Sequence, residues 1–247
     1  MNDHELAADT ARRAGELLVE LRNAGIDDEK ELRRRGDHES NEFILPLLTA
    51  ARPGDAILSE ESKDDAARLA AARVWIVDPL DGTREFGEAG RTDWAVHVAL
   101  VEHETPTAAA VALPAQGQVL STVAPPAVAP APSGGPRIVV SRTRPPALAS
   151  FLAERLDGEL VAMGSAGAKT MSIIQGTADI YAHSGGQYEW DSAAPVGVAA
   201  SAGLHTSRLD GSPLRYNQPN PYLPDLLVCR PELAARALEA IAAWPGD

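Results

Sequence analysis

Trp75-Ile76-Val77-Asp78-Pro79-Leu80-Asp81-Gly82-Thr83 is the stretch on which both the fold and the chemistry of this chain turn. A short apolar run, read as a buried strand, delivers two carboxylates three positions apart, with proline restricting the backbone between them. Glycine and threonine follow, and there the chain can turn. Magnesium takes oxygen ligands and keeps several waters, so carboxylates at a strand end suit it. Two such ions about 3.5–4 Å apart could share Asp78 and clamp the attacking and leaving oxygens of a phosphoryl transfer. If a helix begins after the turn, the Gly82 and Thr83 amides could meet a phosphate. By itself, an Asp-x-x-Asp pair is equally a turn with helix caps.

Upstream, Leu6, Ala7, Ala11, Ala14, Leu17, Leu18 and Leu21 recur at helical spacing, predicting a first amphipathic helix. The polar run Arg33-Arg34-Arg35-Gly36-Asp37 reads as a loop, and a second helix is expected over residues 39–51, ended by Pro53-Gly54. Strands are expected at 56–58, 74–77, 94–101 and 108–113, with 118–123 pairing as a hairpin. The Pro/Ala/Gly-rich residues 124–136 read as a surface loop and the boundary between two halves. Residues 1–123 would form an N-terminal α+β half and 137–247 a C-terminal α/β half. In the latter, strands at 137–141, 160–162 and 178–182 alternate with helices at 145–156, 166–175 and 192–202, before a last helix at 231–244. This alternation predicts an α/β fold with sheets between helix layers.

The 247 residues carry 35 acids against 22 bases, a formal net charge of −13. That balance argues against a nucleic-acid polymer as partner, whose binders are basic. It does not exclude an anionic substrate, because bound cations reverse the sign of a site locally. The single Cys229 permits no intrachain disulfide and, inside Leu226-Leu227-Val228-Cys229, reads as a buried thiol in a reducing compartment. No secretory leader and no bilayer-length apolar run are legible, so a cytoplasmic location is expected. The six histidines lack zinc-site spacing, and His97 reads as an inner-sheet side chain. There is no nucleotide-triphosphate phosphate loop and no G-x-S-x-G elbow.

Two further motifs stand in order with the opening stretch: Ser59-Glu60-Glu61 before it and Trp190-Asp191-Ser192-Ala193-Ala194 after it. Together they resemble the inositol monophosphatase superfamily, with its G-E-E, W-I-[IV]-D-P-[IL]-D-G-T and W-D-x-A-A elements. Ser59 replaces the glycine, which leaves the carboxylates in place. The resemblance spans nearly the whole chain and implies a layered αβαβα sandwich of the inositol monophosphatase/fructose-1,6-bisphosphatase type. It also implies a homodimer, two or three Mg2+ ions and inhibition by lithium. By resemblance, Glu60, Asp78 and the Leu80 carbonyl hold one metal, while Asp78, Asp81 and Asp191 hold another. Glu60 contacts a third. Thr83 with Glu60 would orient a metal-activated water for direct attack on phosphorus, without a phosphoenzyme. Asp37 matches an acidic residue that the family carries on a mobile N-terminal loop, a partner for the third metal or the water; the alternative is a plain loop aspartate. Glu61 would support its neighbour. Asp191 could serve as ligand, as helix N-cap, or as both.

Arg84-Glu85-Phe86 directly after Thr83 resembles the 3′(2′),5′-bisphosphate nucleotidase (CysQ-type) branch of the superfamily. That resemblance implies removal of the 3′-phosphate of 3′-phosphoadenosine 5′-phosphate, with inositol monophosphate and fructose bisphosphate as alternative substrates. Ser141-Arg142-Thr143-Arg144 resembles the branch's S-R-S-H element but departs from it after the arginine. A second phosphate would need basic residues, for which Arg84, Arg142, Arg144 and Lys169 are candidates, each equally a surface charge. By the same resemblance Gly164-Ser165-Ala166 contacts the ring or sugar, unless it is only a helix cap. Residues 185–189 line the leaving-group side, where Tyr188 stacks on a base or simply packs. Asp210-Gly211-Ser212-Pro213-Leu214 reads as a structural turn. A catalytically silent binding protein would have lost one of the acids, and none is missing.

Overall fold

Strands β1 (Ala56–Ser59) and β2 (Arg73–Asp81) run parallel, pairing Ala56 with Val74 through Ser59 with Val77. Strands β3 (Ala95–Glu102), β4 (Thr105–Leu113) and β5 (Gln118–Ser121) then continue the sheet antiparallel in the order β1-β2-β3-β4-β5. The computed structural model describes residues 1–131 and 133–246; Pro132, inside the segment read as a linker, and Asp247 lie outside them.

Strand parity sorts this sheet's two faces. Trp75, Val77, Val96, Val98 and Leu100 point to one side. There they meet α1 (Asp3–Arg22) through Leu6, Ala7, Ala11, Ala14 and Leu18, and α2 (Glu29–Ala51) through Ile44 and Leu48. Val74, Ile76, Ala99 and Val101 point to the other side, against α5 (Ala166–Ile174) and α6 (Glu189–Ser201). Each fully buried leucine or isoleucine of these faces contributes about 1.5–3 kcal/mol.

The second sheet has the order β10-β12-β8-β6-β7, formed by β6 (Arg137–Ser141), β7 (Glu159–Met163), β8 (Ile180–His183), β10 (His205–Ser207) and β12 (Leu226–Cys229). Strands β7 and β8 flank β6 in parallel, whereas β12 and β10 add antiparallel. One face, including Val139, Tyr181 and Val228, closes on α5 and α6. The other, including Ile138, Val140, Leu227 and Cys229, packs against α4 (Ala147–Leu156) and α7 (Pro231–Ala242). The result is the expected mixed α/β architecture of alternating helix and sheet layers. A two-stranded ribbon pairs β9 (Gln187–Tyr188) with β11 (Tyr222–Leu223). Among the described residues no helix is long and apolar enough to cross a membrane.

The structure corrects several expectations. Residues 33–37 are not a loop: α2 starts ten residues earlier than expected, capped by Asp28, whose side chain accepts from the Lys30 and Glu31 amides. Arg33–Glu29, Arg34–Glu31 and Arg35–Glu39 pair along the helix surface, so the charges that suggested a loop support the helix. Gly36 is there for close approach, since a Cβ on it would lie 2.7 Å from both Leu80 and Phe86. Asp37 therefore projects from a helix and not from a mobile loop. Helix α6 likewise begins at Glu189, with Tyr188 as N-cap, so Asp191 sits in its first turn and is not the N-cap. The short strands β9 to β11 escaped sequence reading because they bury too few residues to show a period. Strand β12 was legible only as an apolar run. Cys229 is buried there, and burial followed by the nearby Glu232 pushes its thiol up to about 12.

Residues 124–131 are tied down where they pass the core: the Ala129 amide donates to Ile174 O and its carbonyl accepts from Arg230. Arg230 also meets Asp179, which accepts from the Arg137 amide and guanidinium, joining the starts of β6, β8 and α7. Burial pushes the Asp179 pKa up, but the bonds from Arg137 and Arg230 outweigh it and hold the group below its usual range. Asp179→Ala leaves two guanidinium groups without this partner and is expected to cost about 3–5 kcal/mol. Because the folded pKa is lowered, this contribution is present above the ordinary carboxylate range and lost as pH falls through it. Denaturant midpoints at pH 7 and in acid measure both effects. A variant within about 0.5 kcal/mol of the parent would show that the tie is dispensable.

Candidate active site

Strand β2 loses its register with β3 between Asp78, opposite His97, and Asp81, opposite Ala95. The irregularity turns both aspartates towards the α5/α6 side, which Ile76 also faces. It is held from two directions: Ser40 of α2 donates to Pro79 O at 2.8 Å, and the Leu80 amide donates to Asp78 Oδ1 at 3.0 Å. Gly82 then takes φ +84°, a left-handed conformation that glycine adopts without strain. A Cβ there would lie 3.0–3.2 Å from Ser165, Asp93 and Trp94, so position 82 has neither room nor conformational tolerance for a larger residue. The short helix α3 (Thr83–Gly87) follows, with no side chain capping it.

Asp78, Asp81 and Asp191 converge at this strand end, each offering an oxygen within 4.8 Å of the others. Asp191 arrives from the first turn of α6, where its Oδ2 accepts from the Tyr188 amide at 2.6 Å. The surroundings treat the three acids differently. Burial and then repulsion from Glu60, Asp81 and Asp191 push Asp78 well above its usual range. Asp191 is raised to about 6 by burial and by Asp81. Asp81 is also fully enclosed, yet His97, Lys169 and Ser165 overcome burial and hold it low. Its Oδ2 accepts from the Ser165 hydroxyl and from the Gly167 amide at 2.7 Å, at the start of α5, where negative charge is favoured.

Glu60 follows β1, its amide donating to Val77 O at 3.3 Å. The residue as a whole is solvent-accessible, yet burial of its carboxyl and the charges of Asp191, Asp81 and Asp37 push it up to about 8. Ser59 anchors this turn by donating to Asn41 Oδ1 at 2.7 Å. Thr83 Oγ1 lies 3.1 Å from both Asp37 Oδ1 and Leu80 O, two acceptors for its one proton. Burial and Glu61 raise Asp37 to about 7, against the opposing effect of the Thr83 bond. Glu61 itself is exposed.

On the facing half, Ser165 caps α5 by accepting from the Ala168 amide at 2.9 Å, and it holds φ +49°. Such a conformation costs a β-carbon residue about 1–3 kcal/mol, which the cap and the bond to Asp81 offset. Gly164 donates its amide to Asp93 at 2.6 Å. Lys169 does not project towards solvent as a phosphate cation: it is buried, donates to Ser165 O at 2.9 Å and lies 5.2 Å from the Tyr181 ring centroid. Arg142 is committed as well, to Glu85 and Glu88, each at 2.8 Å. Arg84 and Arg144 are exposed. Tyr188 is exposed, with one ring face stacked on Trp190 at 4.8 Å.

Two residues of this arrangement were not identified from sequence. His97 is an inner-sheet side chain as read, but its Nδ1 lies 3.1 Å from Trp190 O and its Nε2 3.2 Å from Asp81 Oδ2. The signal was available: in a strand alternating like β3, His97 shares a face with Ala95 and Ala99, the side on which the acids lie. Asp93 is buried, pairs with Arg91 and receives Gly164; no pattern in the sequence marked it.

The model of the inositol monophosphatase family matches residues 3–129 and 132–243. The chain is 53% identical to the 3′-phosphoadenosine 5′-phosphate phosphatase of Mycobacterium leprae (strain TN), covering 98% of this chain and 94% of that protein. It is 54% identical to the protein of the same name from Mycobacterium tuberculosis (strain CDC 1551 / Oshkosh), covering 94% and 90%. Among solved structures, CysQ from Bacteroides thetaiotaomicron, described as a bacterial member of the inositol monophosphatase family, superposes with a TM-score of 0.76. It is 25% identical over 92% of this chain and 97% of that one.

The crowding of the acids has a measurable consequence. Raised carboxyl groups bind more protons in the folded, metal-free chain than in the unfolded chain between about pH 4.5 and about 8. Stability of the chelated protein is therefore expected to fall as pH rises through that window. Magnesium should restore more of the thermal midpoint at pH 8 than at pH 5 and release protons on binding at pH 7. Calorimetric titration in buffers of different ionisation heat measures the release; a cation that binds without it would contradict this account.

Proposed function

The chain belongs to the inositol monophosphatase family, and from that premise we propose that it removes the 3′-phosphate of 3′-phosphoadenosine 5′-phosphate, giving AMP and phosphate. The observation that carries this reading is end-to-end similarity above half identity to proteins named for that activity, combined with the convergence of Asp78, Asp81 and Asp191 at the strand end.

Enzymes of the family use divalent metal, and the donor set here fits one: three convergent carboxylates, with Lys169 and His97 beside Asp81. In our reading the cation is Mg2+, two or three ions, held by Asp78, Asp81, Asp191, Glu60 and the Leu80 carbonyl. When bound, such ions polarise phosphoryl oxygens and make a water acidic enough to ionise near neutral pH. The half formed by residues 1–123 supplies all of these ligands except Asp191, which the half formed by 137–247 brings in.

The remaining roles fall to the chain itself. Asp37 Oδ1 accepts from Thr83 Oγ1, leaving the hydroxyl oxygen as an acceptor that orients the attacking water. The Gly82 and Thr83 amides meet the reacting phosphate. Gly164 and Ser165 contact the sugar from the opposite wall, and Lys169 holds their turn through its carbonyls. The open part of Tyr188 supports the base. In this reading hydrolysis proceeds by direct displacement, without a phosphoenzyme. We expect a cytoplasmic homodimer.

Phosphate release from 3′-phosphoadenosine 5′-phosphate, inositol 1-phosphate and fructose 1,6-bisphosphate at saturating magnesium tests the substrate. The nucleotide is expected to have the highest kcat/KM; finding it the poorest of the three would sink the assignment. Asp81→Asn is expected to lower kcat/KM at least about a hundredfold, since even residues behind the ligands of a metal site cost tenfold to a hundredfold. Full activity in that variant would mean that the cation site is placed wrongly.

A further inference from the structure

Of Glu60, Asp78, Asp81 and Asp191, only the last comes from residues 137–247, so the first turn of α6 must be held in register with the first half. The segment Tyr216-Asn217-Gln218, between β10 and β11, grips that turn. Glu189 is buried, and its two carboxylate oxygens accept the Asn217 amide at 2.5 Å and the Gln218 amide at 2.8 Å. Ser192 is also buried, its Oγ 3.2 Å from the Tyr216 hydroxyl. Glu189 and Ser192 stand three positions apart and share one face of the helix, whereas Asp191 lies off that face. The segment thereby fixes the rotation of the turn that aims Asp191 at Asp78 and Asp81.

The same segment is fastened to the first half at two points. Arg68, in the short 3-10 helix Ala66–Ala70 between β1 and β2, is only 1% exposed. Its Nη1 donates to Asn217 Oδ1 at 2.7 Å and its Nη2 to Gln218 O at 3.0 Å, while Asn217 Nδ2 returns a bond to Arg68 O at 3.3 Å. Asp64 accepts from Nε at 2.7 Å and from Nη2 at 3.0 Å and compensates the buried charge. At the tip of the β3–β4 hairpin, Glu104 O accepts the Tyr216 amide at 3.0 Å, and the Glu104 carboxylate accepts from Gln218 Nε2 at 3.1 Å and from Arg215. Asn217 holds φ +58°, a left-handed conformation that asparagine tolerates better than most residues. Two successive amides are thus turned towards one carboxylate. Arg68 is too enclosed to meet substrate, and it lies on the connection that Glu60 opens.

We propose that Arg68 is a positioning residue for the cation site: through Asn217 and Glu189 it locks the Glu60 connection of the first half to the Asp191 turn of the second. The inference rests on the cation reading above and adds to it a residue outside the acid cluster. Charge alone predicts the opposite effect, since a guanidinium repels a cation and its removal would tighten cation binding. A clasp that sets the spacing of the acids predicts weaker binding when it is cut.

Calorimetric titration of the metal-free chain with Mg2+, with activity followed in parallel, reads this sign. In Arg68→Met, Mg2+ affinity is expected to fall about tenfold, the low end of the cost of losing a partner behind a metal ligand. At saturating Mg2+, kcat and KM for 3′-phosphoadenosine 5′-phosphate should stay near those of the parent. Asn217→Gly keeps the left-handed φ accessible and leaves the charge unchanged. It should weaken Mg2+ in the same direction, and combining it with Arg68→Met should add little. Asp179→Ala, which cuts a tie at the starts of β6 and β8, controls for general destabilisation and should leave Mg2+ affinity unchanged. Where Arg68→Met does not fold, Asn217→Gly decides alone. Unaltered or tighter Mg2+ binding in the folded variants overturns the inference, as does an equal loss of affinity in Asp179→Ala. A parent chain that binds no divalent cation defeats the cation reading and this inference with it. A parent that binds Mg2+ but does not hydrolyse the nucleotide defeats only the substrate reading, and the titration still decides the clasp.

Discussion

Four carboxylates, Asp78, Asp81, Asp191 and Glu60, repel one another, and the rest of the molecule is arranged around tolerating that repulsion. An unpaired buried charge is costly enough that such a group normally takes up a proton. Asp78, Glu60 and Asp191 show that response, each raised by burial and by its neighbours. Asp81 escapes it because the second half of the chain supplies donors: Ser165, the Gly167 amide and the Lys169 charge from α5. His97 Nε2, from β3, lies 3.2 Å from the same carboxylate.

The same interactions join the two sheets. Helices α5 and α6 lie between them and share a core with both, so Ile76 and Val101 belong to the same cluster as Val139 and Val228. Their N-terminal turns carry the contacts to the acids, Ser165 and Gly167 on one and Asp191 on the other. Packing of the apolar helix faces thus sets the separation of the carboxylates. A cation at this point would neutralise the repulsion that packing alone must otherwise sustain. That is the physical sense in which a divalent ion fits here, whichever phosphate ester the leaving-group side selects.

Arginine illustrates how local context divides residues that look alike in sequence. Arg137 and Arg230 share Asp179 and secure the start of the second sheet. Arg142 is spent on Glu85 and Glu88, while Arg144, two residues on, is exposed and has no ion-pair partner among the described residues. Lys169 is buried beneath the turn it supports. A charge is available to substrate only when no carboxylate or carbonyl of the protein has already claimed it, and sequence does not record such claims.

The nine residues from Trp75 to Thr83, with Ser59-Glu60-Glu61 and Trp190-Asp191, determined the family, the layered α/β class and the kind of chemistry. Strand period, proline and paired acids are local properties, and they are written in the order of the residues. Helix α2 through Arg33 and Gly36 was not legible, because its stability comes from ion pairs along the helix and a close approach to Leu80 and Phe86. The places of His97 and Asp93, and the commitment of Arg142 and Lys169, were decided only by the tertiary structure. Each depends on a partner from another element, brought near by sheet register and helix packing. The opening motif could say which atoms would hold a cation; only the fold could say what surrounds them.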